Sequence, residues 1–307
     1  MINKKKLNKK NTNNKINTSK KSEKKVSINH KEFISIYLKG IFMGLADTIP
    51  GISGGTIAFI TGIYERLINS ISEVKISSLK YIFKPKKFYC EVKKLDLKLF
   101  IPLIFGLITA ILVGINLINF ILEKNKDFLY SFFIGLIISS FVVLIANIKS
   151  NIKNFCLIIL GLTIGWIISG NFLMQITPNL ITTFFAGFIA ISAMILPGIS
   201  GAYILLILNH YGYIINSLKN LDLLVITIFG AGVIIGLLSF TKLLNKLLKS
   251  YKNEIFSVLI GLMIGTLRTI FNKVNFQSNL KLNLIGIILG FILVFLINFK
   301  KFKCTKI

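Results

Sequence analysis

Apolar positions along this chain gather into eight long stretches. They run over 33–49 with 55–72, 99–121, 128–148, 155–170, 181–196 with 202–218, 223–241, 254–272 and 282–298. Stretches near twenty residues match the length a helix needs to cross the hydrocarbon core of a bilayer. The first and fifth are each interrupted partway, and each is read as one hairpin. The pattern predicts an all-α polytopic membrane protein. It has two halves of inverted orientation, each a broken re-entrant helical hairpin plus three transmembrane helices.

The polar stretches give the orientation. The chain has 307 residues, of which 16% are charged, yet its formal net charge is +26. Its mean hydropathy is +0.75. The charge lies outside the apolar stretches and is almost all Lys. A basic chain can signal nucleic acid, but lysine beside apolar helices reads instead as membrane topology. Residues 1–32 are Lys-, Asn- and Ser-rich and are expected to form a disordered cytoplasmic tail, within reach of anionic membrane lipids. The 73–98 loop carries Lys75, Lys80, Lys84, Lys86, Lys87, Lys93, Lys94 and Lys98, and also reads as cytoplasmic. The first hairpin therefore enters and leaves on one side. Counting onward puts the uncharged 171–180 loop outside and both termini inside. The first membrane repeat spans 33–170 and the second 181–299.

The duplication is visible in the residues. Gly40 to Ile68 reads GIFMGLADTIPGISGGTIAFITGIYERLI, and Gly187 to Ile215 reads GFIAISAMILPGISGAYILLILNHYGYII. Farther on, Leu95 aligns with Leu221, Gly106 with Gly232 and Gly135 with Gly261, without a gap. Interrupted helices in inverted repeats point to a transporter whose site lies near the bilayer midplane, where the breaks meet.

The shared Pro-Gly-Ile-Ser-Gly motif breaks a helix for stated reasons. Pro50 and Pro197 lack a backbone donor and obstruct the preceding turn. Gly51, Gly54, Gly55, Gly198 and Gly201 admit backbone angles that other residues resist. Ser53, Thr56 and Ser200 are placed to cap the helix that restarts. Two helix N-termini converging from opposite sides would favour an anionic group such as phosphate. A tight packing turn is the alternative. Charged residues inside the stretches are few. Asp47, followed by Thr48, stands beside the first break and is a candidate proton carrier. Glu65 and Arg66 follow that break, and Arg268 lies in 254–272. These two arginines are the only ones in the chain, and a guanidinium fork suits phosphate. The alternatives are headgroup contact or an ion pair between helices.

Cys90, Cys156 and Cys304 form no paired motif, and His30 and His210 are the only imidazoles. Neither a metal site nor a catalytic constellation is expected, and no cofactor is implied.

At GLADTIPGISGGTIAFITGIYERLI and its partner MILPGISGAYILLILNHYGYI, the chain resembles the PopT polyprenyl-phosphate transporter family. The resemblance covers about residues 33–300. It implies a non-enzymatic translocase that recycles undecaprenyl phosphate, or a related polyprenyl phosphate, from the outer to the inner leaflet of the cell membrane. The first motif matches at Asp47, Thr48, Pro50, Gly51, Ser53, Gly54, Gly55 and Thr56. In the second, Met194 stands in the place of Asp47, so carboxyl chemistry would be single-sided. The runner-up reading is a secondary transporter of a small anion or a proton-coupled solute.

Overall fold

Each Pro-Gly motif forms a turn that ends one helix and lets another begin. A computed structural model describes residues 30–49, 51–74, 95–170 and 173–304. Helix α1 runs His30–Thr48, α2 Gly54–Ile60 and α3 Tyr64–Ser72. The second motif repeats the series as α7 Leu180–Ile195, α8 Gly201–Ile207 and α9 Tyr211–Lys219. At the second turn, Ile199 N–H donates to Leu196 C=O at 3.4 Å, across Pro197 and Gly198, whose φ is +94°. Proline second and a positive-φ glycine third mark a type II turn. At the first turn Ile52 N–H donates to Ile49 C=O at 3.1 Å, and Gly51 also has φ +94°. Pro50 itself lies outside the described residues.

The ends of α2 and α8 also match. Gly62 (φ +74°) follows the first, and Ile63 N–H reaches back to Ala58 C=O. Asn209 (φ +59°) follows the second, and His210 N–H reaches back to Leu205 C=O. A left-handed residue closing a 6→1 bond is the Schellman stop, which Gly and Asn tolerate best.

The remaining helices are α4 Leu97–Thr109, continued by a π turn Ala110–Gly114, then α5 Ile115–Ile145 and α6 Ile152–Ile168. After α9 come α10 Leu223–Ser250, α11 Lys252–Gly265, α12 Leu267–Phe271 and α13 Leu280–Cys304. The described residues contain helices and no strand. Four stretches are long and apolar enough to cross a membrane: Leu97–Gly114, Phe120–Ile145, Leu223–Ser250 and Lys252–Phe271. Ile152–Ile168, Leu180–Ile195 and Leu280–Leu296 are apolar but shorter. Six full crossings were expected from the sequence. At 1.5 Å per residue, the 17 residues of α6 rise about 26 Å, a little under a ~30 Å core. The polar 122–127 stretch, expected between two opposite crossings, holds the break at Asn125 (φ −148°, ψ 56°), where two helices meet. The tail up to residue 29 and the lysines from 75 to 94 lie outside the described residues. Residues 30–32, expected in the tail, open α1.

Packing partners recur in both halves. Helix α1 packs on α4, and α7 on α10. Helix α5 packs on α13, and α11 on α6. Glycines let these backbones touch. A Cβ on Gly106 would collide with Tyr37 C=O, and one on Gly232 with Phe184 C=O. Gly261 meets Ile158 C=O and Gly135 meets Ile287 C=O in the same way. Between apolar helices in lipid there is no hydrophobic drive, so such close contact supplies the cohesion. The outward faces carry large apolar residues such as Phe105, Leu112, Trp166 and Leu296, as a lipid-facing surface requires.

Gly261→Ala should therefore destabilise the protein by about 1–3 kcal/mol, the usual cost of overpacking. Gly212→Ala, where a Cβ meets nothing within 4 Å, should change stability by less than about 0.5 kcal/mol. Thermal melts in detergent compare the two. Equal melting points would contradict the close-contact account.

Candidate functional site at the hairpin tips

The two tips touch. Thr56, on the first turn of α2, accepts a hydrogen bond through its hydroxyl from Gly198 N–H at 2.8 Å. The Ser53 hydroxyl reaches Met194 C=O, in the last turn of α7, at 3.5 Å. A Cβ on Gly55 would meet the same carbonyl at 2.8 Å. Side chains of the first motif thus fill backbone valences of the second.

The tips differ in how their second helix starts. At α2, Gly54 N–H donates to Asp47 Oδ1 at 2.6 Å, and Gly55 N–H donates to Ser53 Oγ at 3.2 Å. The first donors of α2 are spent on its own side chains. Asp47 is therefore a cap as well as the acid beside the break. The Thr48 hydroxyl donates within its own helix to Leu45 C=O at 2.7 Å. At α8, Ser200 is the N-cap residue and its side chain makes no capping bond. Met194 occupies the position of Asp47 and has no acceptor to offer at that point.

A narrow crevice of about 10 Å³, room for one water, lies on the uncapped side, lined by Gly51, Ser169, Gly198, Ser200, Tyr203, Thr266 and Thr269, with Ile168 and Ile199 completing it. Thr266 sits at the interruption between α11 and α12, and a Cβ on Gly198 would collide with its hydroxyl. The Tyr203 hydroxyl donates to Gly170 C=O at 2.9 Å. The hydroxyls of Ser200 and Thr269 take no protein partner among the described residues.

Two cations flank this cleft. Arg268 lies over the Trp166 ring at 4.7 Å and donates from Nη1 to Trp166 C=O at 3.2 Å. Its charge reaches Tyr203. No carboxylate meets it among the described residues. Lys273 Nζ lies 3.4 Å from where a Cβ of Gly51 would stand, and 5.4 Å from the Tyr130 ring centre. Sequence reasoning missed Lys273, which follows the 254–272 stretch and looks like any loop lysine. Its signal is register: it lies four residues, one helical turn, past Thr269. It also missed Thr266, Thr269 and Tyr203, whose polarity is unremarkable in isolation.

The other predicted residues lie elsewhere. Arg66 pairs with Glu32 at 2.8 Å and with Asp96 at 2.5 Å. Glu65 pairs with Lys252 at 2.7 Å. These bonds join α3 to the start of α1, the start of α4 and the start of α11, away from both turns. Of the two arginines, only Arg268 lies near the cleft, against Trp166. No cluster among the described residues could hold a metal ion.

The chain matches the VCA0040-like, undecaprenyl phosphate translocase-like family over residues 43–284. It belongs to that family. A polyprenyl-phosphate transporter of Vibrio cholerae serotype O1 is 38% identical over 240 residues, covering 78% of each chain. A polyprenyl-phosphate transporter of Staphylococcus aureus is 32% identical over 253 residues, covering 76% of this chain and 84% of that one. No solved structure matches. These relatives are transporters rather than enzymes, and the family assigns this chain to multi-pass membrane transport.

The ion-pair network at the start of α4 carries its own pH dependence. The Arg66 guanidinium bonded to Asp96 holds that carboxyl below the ordinary range. A carboxyl lowered in the folded state adds stability above its unfolded pKa and loses it as pH falls through the lowered value. The contribution is thus complete above about pH 5 and lost under more acid conditions. Partial exposure limits it to about 1 kcal/mol. Melts of wild type and Asp96→Asn should differ at pH 7 and converge near pH 3. A constant difference across that range would exclude the pairing.

Proposed function

We propose that this protein carries polyprenyl phosphate from the outer to the inner leaflet of the cell membrane, its phosphate passing between the two hairpin tips while the prenyl chain stays in lipid. One observation carries the reading: two matched Pro-Gly turns share a cleft that has Arg268 and Lys273 beside it. The transporters of Vibrio cholerae and Staphylococcus aureus supply the ligand class. A phosphate in an apolar layer needs positive charge and hydrogen-bond donors at its own depth. Helices of seven residues contribute little dipole, so the charge must come from the two cations. The guanidinium fork bonds two phosphate oxygens, and the ammonium and the Ser200 and Thr269 hydroxyls are donors for the rest.

In this reading the substrate cleft is formed by Gly51, Gly198, Ser200, Thr266, Thr269, Arg268 and Lys273. Asp47, Thr48, Pro50, Ser53, Gly54, Gly55, Thr56, Pro197 and Gly201 shape and join the turns. Glu65 and Arg66 hold α3 in place. The two halves are inverted repeats and the hairpins are re-entrant. Depth supports this. Lys39 Nζ reaches Thr61 C=O at 2.9 Å, which levels the two arms of the first hairpin. From Lys39 to Thr48 the helix climbs about 14 Å, half of a ~30 Å core. Both termini and the 73–98 loop are cytoplasmic, and 171–180 is external. The basic tail rests on anionic lipids. Protons drive the cycle through Asp47, whose hold on Gly54 N–H weakens when it is protonated.

Purified protein in liposomes, given labelled polyprenyl phosphate, should move it between leaflets and leave polyprenol behind. Arg268→Ala should lower its affinity about 10- to 100-fold, the equivalent of one charge-assisted hydrogen bond, and Arg268→Lys should restore only part. Asp47→Asn keeps an acceptor for Gly54 and should fold but lose the pH dependence of transport. Normal affinity in both Arg268→Ala and Lys273→Ala would remove the phosphate from the cleft. Free phosphate uptake without lipid movement would favour the small-anion reading.

A further inference from the structure

We infer that a second phosphate site lies between α3 and the far end of α10, where it receives the monoester headgroup of the same lipid as it arrives in the inner leaflet. This rests on the transport reading above. The cleft has a volume of about 380 Å³ and is lined by Ser72, Lys242, Asn245, Lys246, Lys249 and Ser250. That is within the ordinary range for a small-ligand pocket.

The three lysines fall at successive helical turns of α10, on one face. Like charges stacked at that spacing repel. Among the described residues none of the three meets a carboxylate, a ring or any other partner. Other cations at this end of the molecule are matched: Lys252 with Glu65 at 2.7 Å, Lys153 with Glu254 at 3.1 Å, and Arg66 with Glu32 and Asp96. Among the described residues, this cleft therefore gathers three unpaired cations on one face of α10. Its floor is fixed. Asn245 Nδ2 donates to Ser72 Oγ at 2.6 Å and to Asn69 Oδ1 at 3.2 Å, which ties α3 to α10. The lysines then surround a rigid base rather than a mobile loop.

Charge selects the occupant. A phosphate monoester carries between one and two negative charges near neutral pH, whereas the diester of a bulk phospholipid carries one. Three ammonium groups suit the former. Position selects the stage. Ser53 at the tip and Ser72 in the cleft are joined by α2 and α3, so they lie no more than about 28 Å apart. The ~20–22 Å of a half-bilayer with its headgroup zone falls within that reach. A headgroup leaving the tips along this arm reaches the lysines next, and they hold it out of the apolar layer.

The test is lysine acylation followed by mass spectrometry, on the full chain in phosphatidylcholine nanodiscs. Polyprenyl phosphate should slow modification of Lys242, Lys246 and Lys249 at least threefold, while Lys149 is unaffected. Polyprenol and phosphatidylglycerol, at the same mole fraction, should give no protection. Equal protection by phosphatidylglycerol would make the cleft a general anionic-lipid contact. No protection at all would leave the lysines as topology anchors. Either result overturns the proposal.

The variant K242Q/K246Q/K249Q separates this site from the tips. Trp166 is the only tryptophan and stacks on Arg268, so its fluorescence reports tip loading. The variant should titrate normally at Trp166 and deliver lipid at least fivefold more slowly. Delivery at the wild-type rate would overturn the proposal. A wild type that neither transports nor responds at Trp166 would instead defeat the transport reading.

Discussion

A helix broken within an apolar layer exposes backbone groups that no water can satisfy, and the architecture of this protein answers that constraint. Each Pro-Gly turn closes one bond within itself and leaves others to be met by its neighbours. The first tip meets its own through Asp47 and Ser53. The Gly198 donor of the second tip is met from across the interface by Thr56. The second hairpin is completed by the first. The glycine contacts behind them, from Gly40 on Leu103 and Gly106 to Gly187 on Phe229, bring the helices close enough for the tips to meet.

The matched turns make the differences between tips more informative than their likeness. A carboxylate at position 47 spends the first donors of α2 on an internal cap. Methionine at position 194 leaves the corresponding cap of α8 unmade. Thr266, Thr269, Arg268 and Lys273, all from α11, α12 and the residues just beyond, gather on the cleft beside it. Charge and hydroxyl groups are thereby placed on one side of the paired tips. In the proposed reading, that polar side is where the headgroup sits.

Much of this was legible in the sequence because it is local. Apolar stretches of about twenty residues, the repeated PGISG and the gapless alignment of Gly135 with Gly261 required no knowledge of contacts. The helix break followed from Pro-Gly alone. What escaped reading is long-range. Arg66 looked like a phosphate ligand because its partners, Asp96 and Glu32, lie 30 and 34 residues away. Asp47 gave two readings, and its bond to Gly54 became visible only once the turn had folded back. Lys273 was indistinguishable from the lysines that mark topology, since its place beside Gly51 depends on how α12 meets the first tip.

The central claim is that a lipid phosphate enters the cleft between the tips. It is tested most directly by placing one cysteine there, as Thr269→Cys with Cys90, Cys156 and Cys304 replaced by serine, and following its reaction with a charged thiol reagent in liposomes. The account predicts that the cysteine reacts and that polyprenyl phosphate slows the reaction at least fivefold, while polyprenol does not. A reaction rate that polyprenyl phosphate leaves unchanged, in protein that still transports it, would contradict the account.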